Sequence, residues 1–140
     1  MISKTKMNWA GGFKFDSISK FGLPISTDES KNSDGRGGEG YSPVELILYG
    51  LIGCIGIDVV MIMKKMRQEL KSLEIEAIGH RRDEPPRLFQ KIELIFRMDG
   101  KNLDQQKAQR AVQLSQDKYC SVSQSLMEKV DLTYQVEIAN

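Results

Sequence analysis

Cysteine, histidine and tryptophan are the scarce residues of this 140-residue chain, with two, one and one copies. Two cysteines exclude a disulfide scaffold, and a chain of this length buries roughly 68–70% of its unfolded surface without one. The single histidine, His80, has no cysteine near it in sequence, and Cys54 and Cys120 are 66 residues apart. That spacing matches no metal-ligand pattern, so neither a metal nor any other cofactor is expected. Charge of one sign is missing as well. Twenty Lys and Arg against 19 Asp and Glu leave a net charge of +1, which gives no electrostatic basis for nucleic acid or an anionic membrane as partner. No apolar run follows Lys4 and Lys6, so no secretory leader is expected. A cytoplasmic place follows from that reading. In a reducing compartment a lasting disulfide is disfavoured and a transient, chemical one is permitted.

What is present reads as a single domain over 1–140. Gly11-Gly12 between aromatic segments predicts a hairpin within Trp9–Asp16, and Phe21–Ser26 predicts a further turn and third strand. Residues 29–41 are rich in Gly, Ser and Asp without periodicity and predict a loop. Ser42-Pro43-Val44-Glu45 has the form of a capping box with proline at the first helical position, which starts a helix predicted to run to about Lys71. Its first two-thirds are apolar nearly all round, which predicts a central buried helix. Leu46–Met63 carries one charge, Asp58, and is long enough for a membrane span. Gly50, Gly53, Gly56 and that mid-span carboxylate favour a core helix instead, and no membrane partner is expected. Alternation over 73–83 and 88–98 predicts a second hairpin around Glu84-Pro85-Pro86-Arg87. Leu103 to Lys118 predicts a second helix, and 130–138 a last strand. The order is that of an α+β protein with helices on antiparallel sheet.

Several residues invite chemistry. Cys54 lies in the apolar half of the first helix, where a free cysteine usually serves as a small hydrophobe and can instead be a reactive thiol. It is about three turns from the helix start, too far in for the helix dipole to activate it. Asp58, four residues on, shares its face; Glu45, nine residues before, is about half a turn out of phase. Cys120 follows the second helix in Lys118-Tyr119-Cys120-Ser121-Val122-Ser123. Gly35–Gly40 lacks the Lys-Ser/Thr of a phosphate loop and reads as a connection from which Arg36 could swing over a site. Arg81 and Arg82 belong to a mixed-charge strand end, and His80 to the strand itself.

Ser42-Pro43-Val44-Glu45-Leu46-Ile47-Leu48, then Gly53-Cys54 on the same helix, then Lys118–Ser123 resemble the OsmC/Ohr family over about Trp9 to Ile138. Gly53–Val60 with Lys64-Lys65-Met66-Arg67 is most similar to its YhfA-like branch. The resemblance implies an intertwined homodimer with the long helices inside. It implies a thiol-dependent peroxidase that reduces organic hydroperoxides to alcohols, with Cys54 attacking, Cys120 resolving and an external dithiol as reductant. Two features depart from the Ohr branch. Val44 stands where that branch has a glutamate, its neighbour Glu45 carrying the carboxylate, and no arginine precedes Arg36. Arg36, Glu45, Asp58, Arg81 and Arg82 are therefore the candidates for activating or orienting Cys54. The alternative reading is a dimeric binding or redox-sensing protein with an apolar pocket.

Overall fold

The computed structural model describes residues 1–126 and 128–139. They fall into two compact units, Met1–Ile47 and Leu48–Asn140.

The first unit is a three-stranded antiparallel sheet in the order β1 (Asn8–Trp9), β2 (Phe15–Ile18), β3 (Pro24–Thr27). Gly11 and Gly12 make the predicted hairpin turn with φ of 96° and 54°, values that side chains with a Cβ rarely adopt. The predicted loop follows, and Tyr41 returns to bridge Thr27. Trp9, Ile18, Phe21 and Leu23 are all well exposed, so this sheet leaves much apolar surface uncovered.

Helix α1 (Pro43–Lys65) begins at the predicted proline but ends six residues before the expected Lys71. Arg67 takes the left-handed conformation at φ 58°. Arg67 N–H donates to the Lys64 carbonyl at 3.0 Å and Gln68 N–H to that of Met63 at 2.9 Å, which is a Schellman stop with arginine where glycine is usual. The polar residues assigned to the helix end are therefore its cap and the start of a strand.

The second unit's sheet has the order β4 (Glu69–Arg81), β5 (Phe89–Lys101), β6 (Asp131–Ala139). β4 and β5 form the predicted antiparallel hairpin, but β6 adds parallel to β5, against the expectation of wholly antiparallel sheet. Residues 102–130, two helices included, carry the chain back across the sheet, and a crossover of that length permits a parallel partner. As the middle strand, β5 is the most buried: Ile92, Leu94, Phe96 and Met98 are at most 1% exposed. α1 faces this sheet, since a Cβ on Gly56 would sit 3.3 Å from the Ile75 side chain. Leu51, Ile55, Val59 and Met63, spaced four apart, are wholly buried. Each contributes about 1.5–3 kcal/mol relative to exposure. The helix is not buried all round within one chain, however. Gly50, Gly53, Ile57, Val60 and Met61 form an opposite, exposed stripe, with Ile57 65% accessible. Among the described residues α1 is the one helix long and apolar enough to cross a membrane, and the fold lays it against β4.

Helix α2 (Gln105–Leu114) is capped by Asp104, whose carboxylate accepts from Lys107 N–H at 3.0 Å. It ends four residues before the expected Lys118. A π-helical turn (Ser115–Tyr119) and a short helix α3 (Ser121–Leu126) follow before β6. Gln105 and Gln116 donate side-chain amides to the Val136 and Leu132 carbonyls of β6, covering the edge that β5 leaves open.

Candidate functional site

The site lies wholly within the second unit. Cys54 sits midway along α1, half-buried, and Cys120 is fully buried at the junction of the π turn and α3. Both are free thiols, and Cys54 lies near enough to act on the Cys120 thiol. The fold thus brings together two cysteines 66 residues apart in sequence.

The π turn is what delivers Cys120. The Cys120 N–H donates to the Ser115 carbonyl at 2.7 Å, five residues back, instead of to that of Gln116. The Gln116 carbonyl is occupied by Ser123 Oγ at 3.1 Å and Gln124 Nε2 at 2.9 Å. Cys120 has extended backbone, φ −76° and ψ 108°, and stands in the N-cap position of α3. Its sulfur accepts the Ser123 N–H at 3.3 Å, while Ser123 Oγ also donates to the Cys120 carbonyl at 3.0 Å. Two opposing influences act on this thiol. Burial raises its pKa most, the neighbouring Cys54 thiol raises it further, and the Ser123 N–H lowers it; the net direction is up. Cys120 is therefore held protonated at neutral pH.

Asp58 lies one turn beyond Cys54 and accepts a hydrogen bond from the fully buried Ser115 Oγ at 2.8 Å. It is thereby tied directly to the segment that carries Cys120. Arg36 forks onto Asp34 in its own loop, at 2.7 and 2.8 Å. Arg81 donates to the Arg87 carbonyl at 2.6 Å, and Arg82 to the carbonyls of Glu84, Pro85 and Pro86, so both brace the hairpin turn. Glu45 stands exposed in the first turn of α1. His80 pairs with Glu93 at 2.5 Å on the sheet surface. Among the described residues no group of three His, Cys, Asp or Glu is placed to hold a metal ion.

Ser115 and Ser123 were not anticipated. Ser123 had a local signal, a hydroxyl residue three positions after a residue ending one helix and opening another. Ser115 had none beyond its place on the apolar stripe of the second helix, because its partner is 57 residues away.

A family model described as OsmC-like protein matches residues 35–135. Protein YhfA of Escherichia coli (strain K12) is 36% identical over 135 residues, covering 96% of this chain and 97% of that protein. The crystal structure of a hypothetical protein from Aquifex aeolicus VF5 superposes with a TM-score of 0.83 at 28% identity, covering 100% of this chain and 99% of that one. The organic hydroperoxide resistance protein OhrB of Bacillus subtilis superposes with a TM-score of 0.67 at 23% identity, covering 96% and 98% of the two chains, a likeness of fold. With the family model spanning both cysteines and a relative of this identity matched nearly end to end, the chain belongs to the OsmC-like family.

Proposed function

We propose that this protein is a thiol-dependent peroxidase that reduces organic hydroperoxides, one OsmC-like domain per chain, with Cys54 as nucleophile and Cys120 as resolving thiol. The observation that carries the proposal is the pairing of two free thiols, one half-buried on α1 and one fully buried, close enough for Cys54 to act on the Cys120 thiol. Their environments divide the labour. Burial holds Cys120 protonated and closes it to an incoming peroxide, which leaves the half-buried Cys54 to attack first.

In the first step the Cys54 thiolate attacks the terminal oxygen of the hydroperoxide. The S–O bond forms, the O–O bond breaks, and the alkoxide leaves as alcohol after taking a proton. Cys54 is oxidised to sulfenic acid. In the second step Cys120 attacks that sulfur, the S–S bond forms, and the Cys120 proton departs with the hydroxyl as water. An external dithiol then reduces the disulfide by exchange and becomes a disulfide itself. Organic rather than hydrogen peroxide is favoured by the apolar helix around Cys54, where Ile55 and Leu51 are neighbours on the chain. The test is consumption of cumene hydroperoxide with dithiothreitol as the dithiol. Wild type turns over, and Cys54→Ser does not; equal rates for the two would remove Cys54 from the chemistry.

The exposed apolar stripe of α1 supports a homodimer. Ile57, Val60 and Met61 are about half exposed or more, and Gly50 and Gly53 leave open space beside them for a close helix. A second copy of this chain is the partner proposed.

One observation favours a binding or redox-sensing role instead. Arg36, Arg81 and Arg82 all place their guanidinium groups on a loop carboxylate or on turn carbonyls and not on a cysteine. The same assay separates the two readings.

A further inference from the structure

Ser115 holds two elements at once. Its Oγ donates to Asp58 Oδ2 at 2.8 Å, and its carbonyl accepts the Cys120 N–H at 2.7 Å. Asp58 is one turn from Cys54 on α1. A single buried serine therefore links the cysteine-bearing face of α1 to the backbone of the other cysteine. The link matters because the π turn is an inherently poor helical register, kept only where something outside it decides. In an α-helical register the Cys120 N–H would turn to the Gln116 carbonyl, and Cys120 would swing about the helix axis. Ser123 and Gln124 block that carbonyl from one side, and the Asp58–Ser115 bond holds the start of the turn from the other. Disulfide formation is intolerant of such a swing, since the two Cβ atoms must come within about 3.5–4.5 Å.

Resting on the peroxidase reading of the cysteine pair, we infer that Ser115 and Asp58 are positioning residues for the resolving step, setting the π register that aims the Cys120 sulfur at the Cys54 sulfenic acid. Neither residue touches peroxide. Their effect falls on the step in which the S–S bond forms, the S–O bond of Cys54 breaks, and water leaves.

The test reads the disulfide without relying on peroxide turnover. The Cys54–Cys120 couple is equilibrated in glutathione buffers for wild type, Ser115→Ala, Asp58→Ala and Asp58→Asn, with circular dichroism to establish folding. In parallel, each protein receives one equivalent of cumene hydroperoxide with dimedone to trap sulfenic acid. Ser115→Ala lowers the equilibrium constant for disulfide formation about tenfold or more, a rise in potential of about 30 mV or more, and increases the dimedone adduct. Asp58→Ala, on a half-buried site that better tolerates change, moves both readouts the same way. Asp58→Asn keeps an oxygen acceptor for Ser115 and stays near wild type. Wild-type potential and wild-type adduct in both alanine variants would overturn the inference. A wild type that forms the disulfide in glutathione but consumes no hydroperoxide would instead sink the peroxidase reading, while a raised potential in the variants would still uphold the positioning role.

Discussion

The Ser123 N–H donates to the Cys120 sulfur at 3.3 Å, so a cysteine occupies the place in the α3 N-cap where serine, threonine or aspartate is usual. That donor favours a thiolate on Cys120, and burial disfavours it; burial is the larger influence, and the thiol stays above its ordinary range.

The imbalance has a consequence for stability at alkaline pH. A thiol whose pKa is raised by folding holds its proton more tightly in the native than in the unfolded chain. Its contribution is fully present below the unfolded value, near ~8.5, and is lost as pH rises from there through the folded value. Urea midpoints measured from pH 7 upward are expected to be level at first and to fall beyond about 8.5. Cys120→Ala starts from a lower midpoint and falls less steeply. Parallel curves for the two proteins would contradict this assignment.

Two glycines of the β4–β5 hairpin differ in what surrounds them. A Cβ on Gly100 would lie 2.1 Å from the Glu69 backbone carbonyl, and one on Gly79 would lie 2.4 Å from the Phe89 ring. The ring can turn aside; the paired backbone can shift only by breaking ladder geometry. Gly100→Ala is therefore expected to cost about 3 kcal/mol or more, and Gly79→Ala about 1–2, at the two ends of the overpacking range. Chemical denaturation of the two variants checks the order, which would be reversed if the Gly100 strand end yields freely.

How much of this could be seen in the chain beforehand depends on the range of the signal. Local punctuation sufficed for the Gly11-Gly12 hairpin and for the helix starting at Pro43, because those signals act within a few residues. The stop at Lys65 was hidden because Arg67, not glycine, takes the left-handed position. Strand direction was hidden too, since period-two alternation in Leu132, Tyr134, Val136 and Ile138 is the same for parallel and antiparallel pairing. The π turn looks helical in sequence, as its hydrogen bonds span only one residue more than those of an α-helix. Within the site, Cys54, Cys120 and the shared face of Asp58 were visible, whereas Ser115 becomes meaningful only through a contact across 57 residues.

The exposed stripe on α1 yields a prediction about assembly. Ile57→Glu places a charge amid Gly53, Val60 and Met61, where a second helix would have to desolvate it. Wild type is expected to sediment at twice the 15.9 kDa of one chain, and the variant as a monomer at micromolar concentration. A wild type that is monomeric throughout would remove the dimer from the account.

The central claim is that Cys54 and Cys120 act as one redox pair. Intact-mass and peptide mass spectrometry after a single equivalent of cumene hydroperoxide tests it most directly. The account predicts a loss of two hydrogens per chain and a cross-linked peptide joining Cys54 to Cys120, reversed by dithiothreitol and absent in either cysteine-to-serine variant. Recovery of both cysteines as free, alkylatable thiols after the same exposure would contradict it.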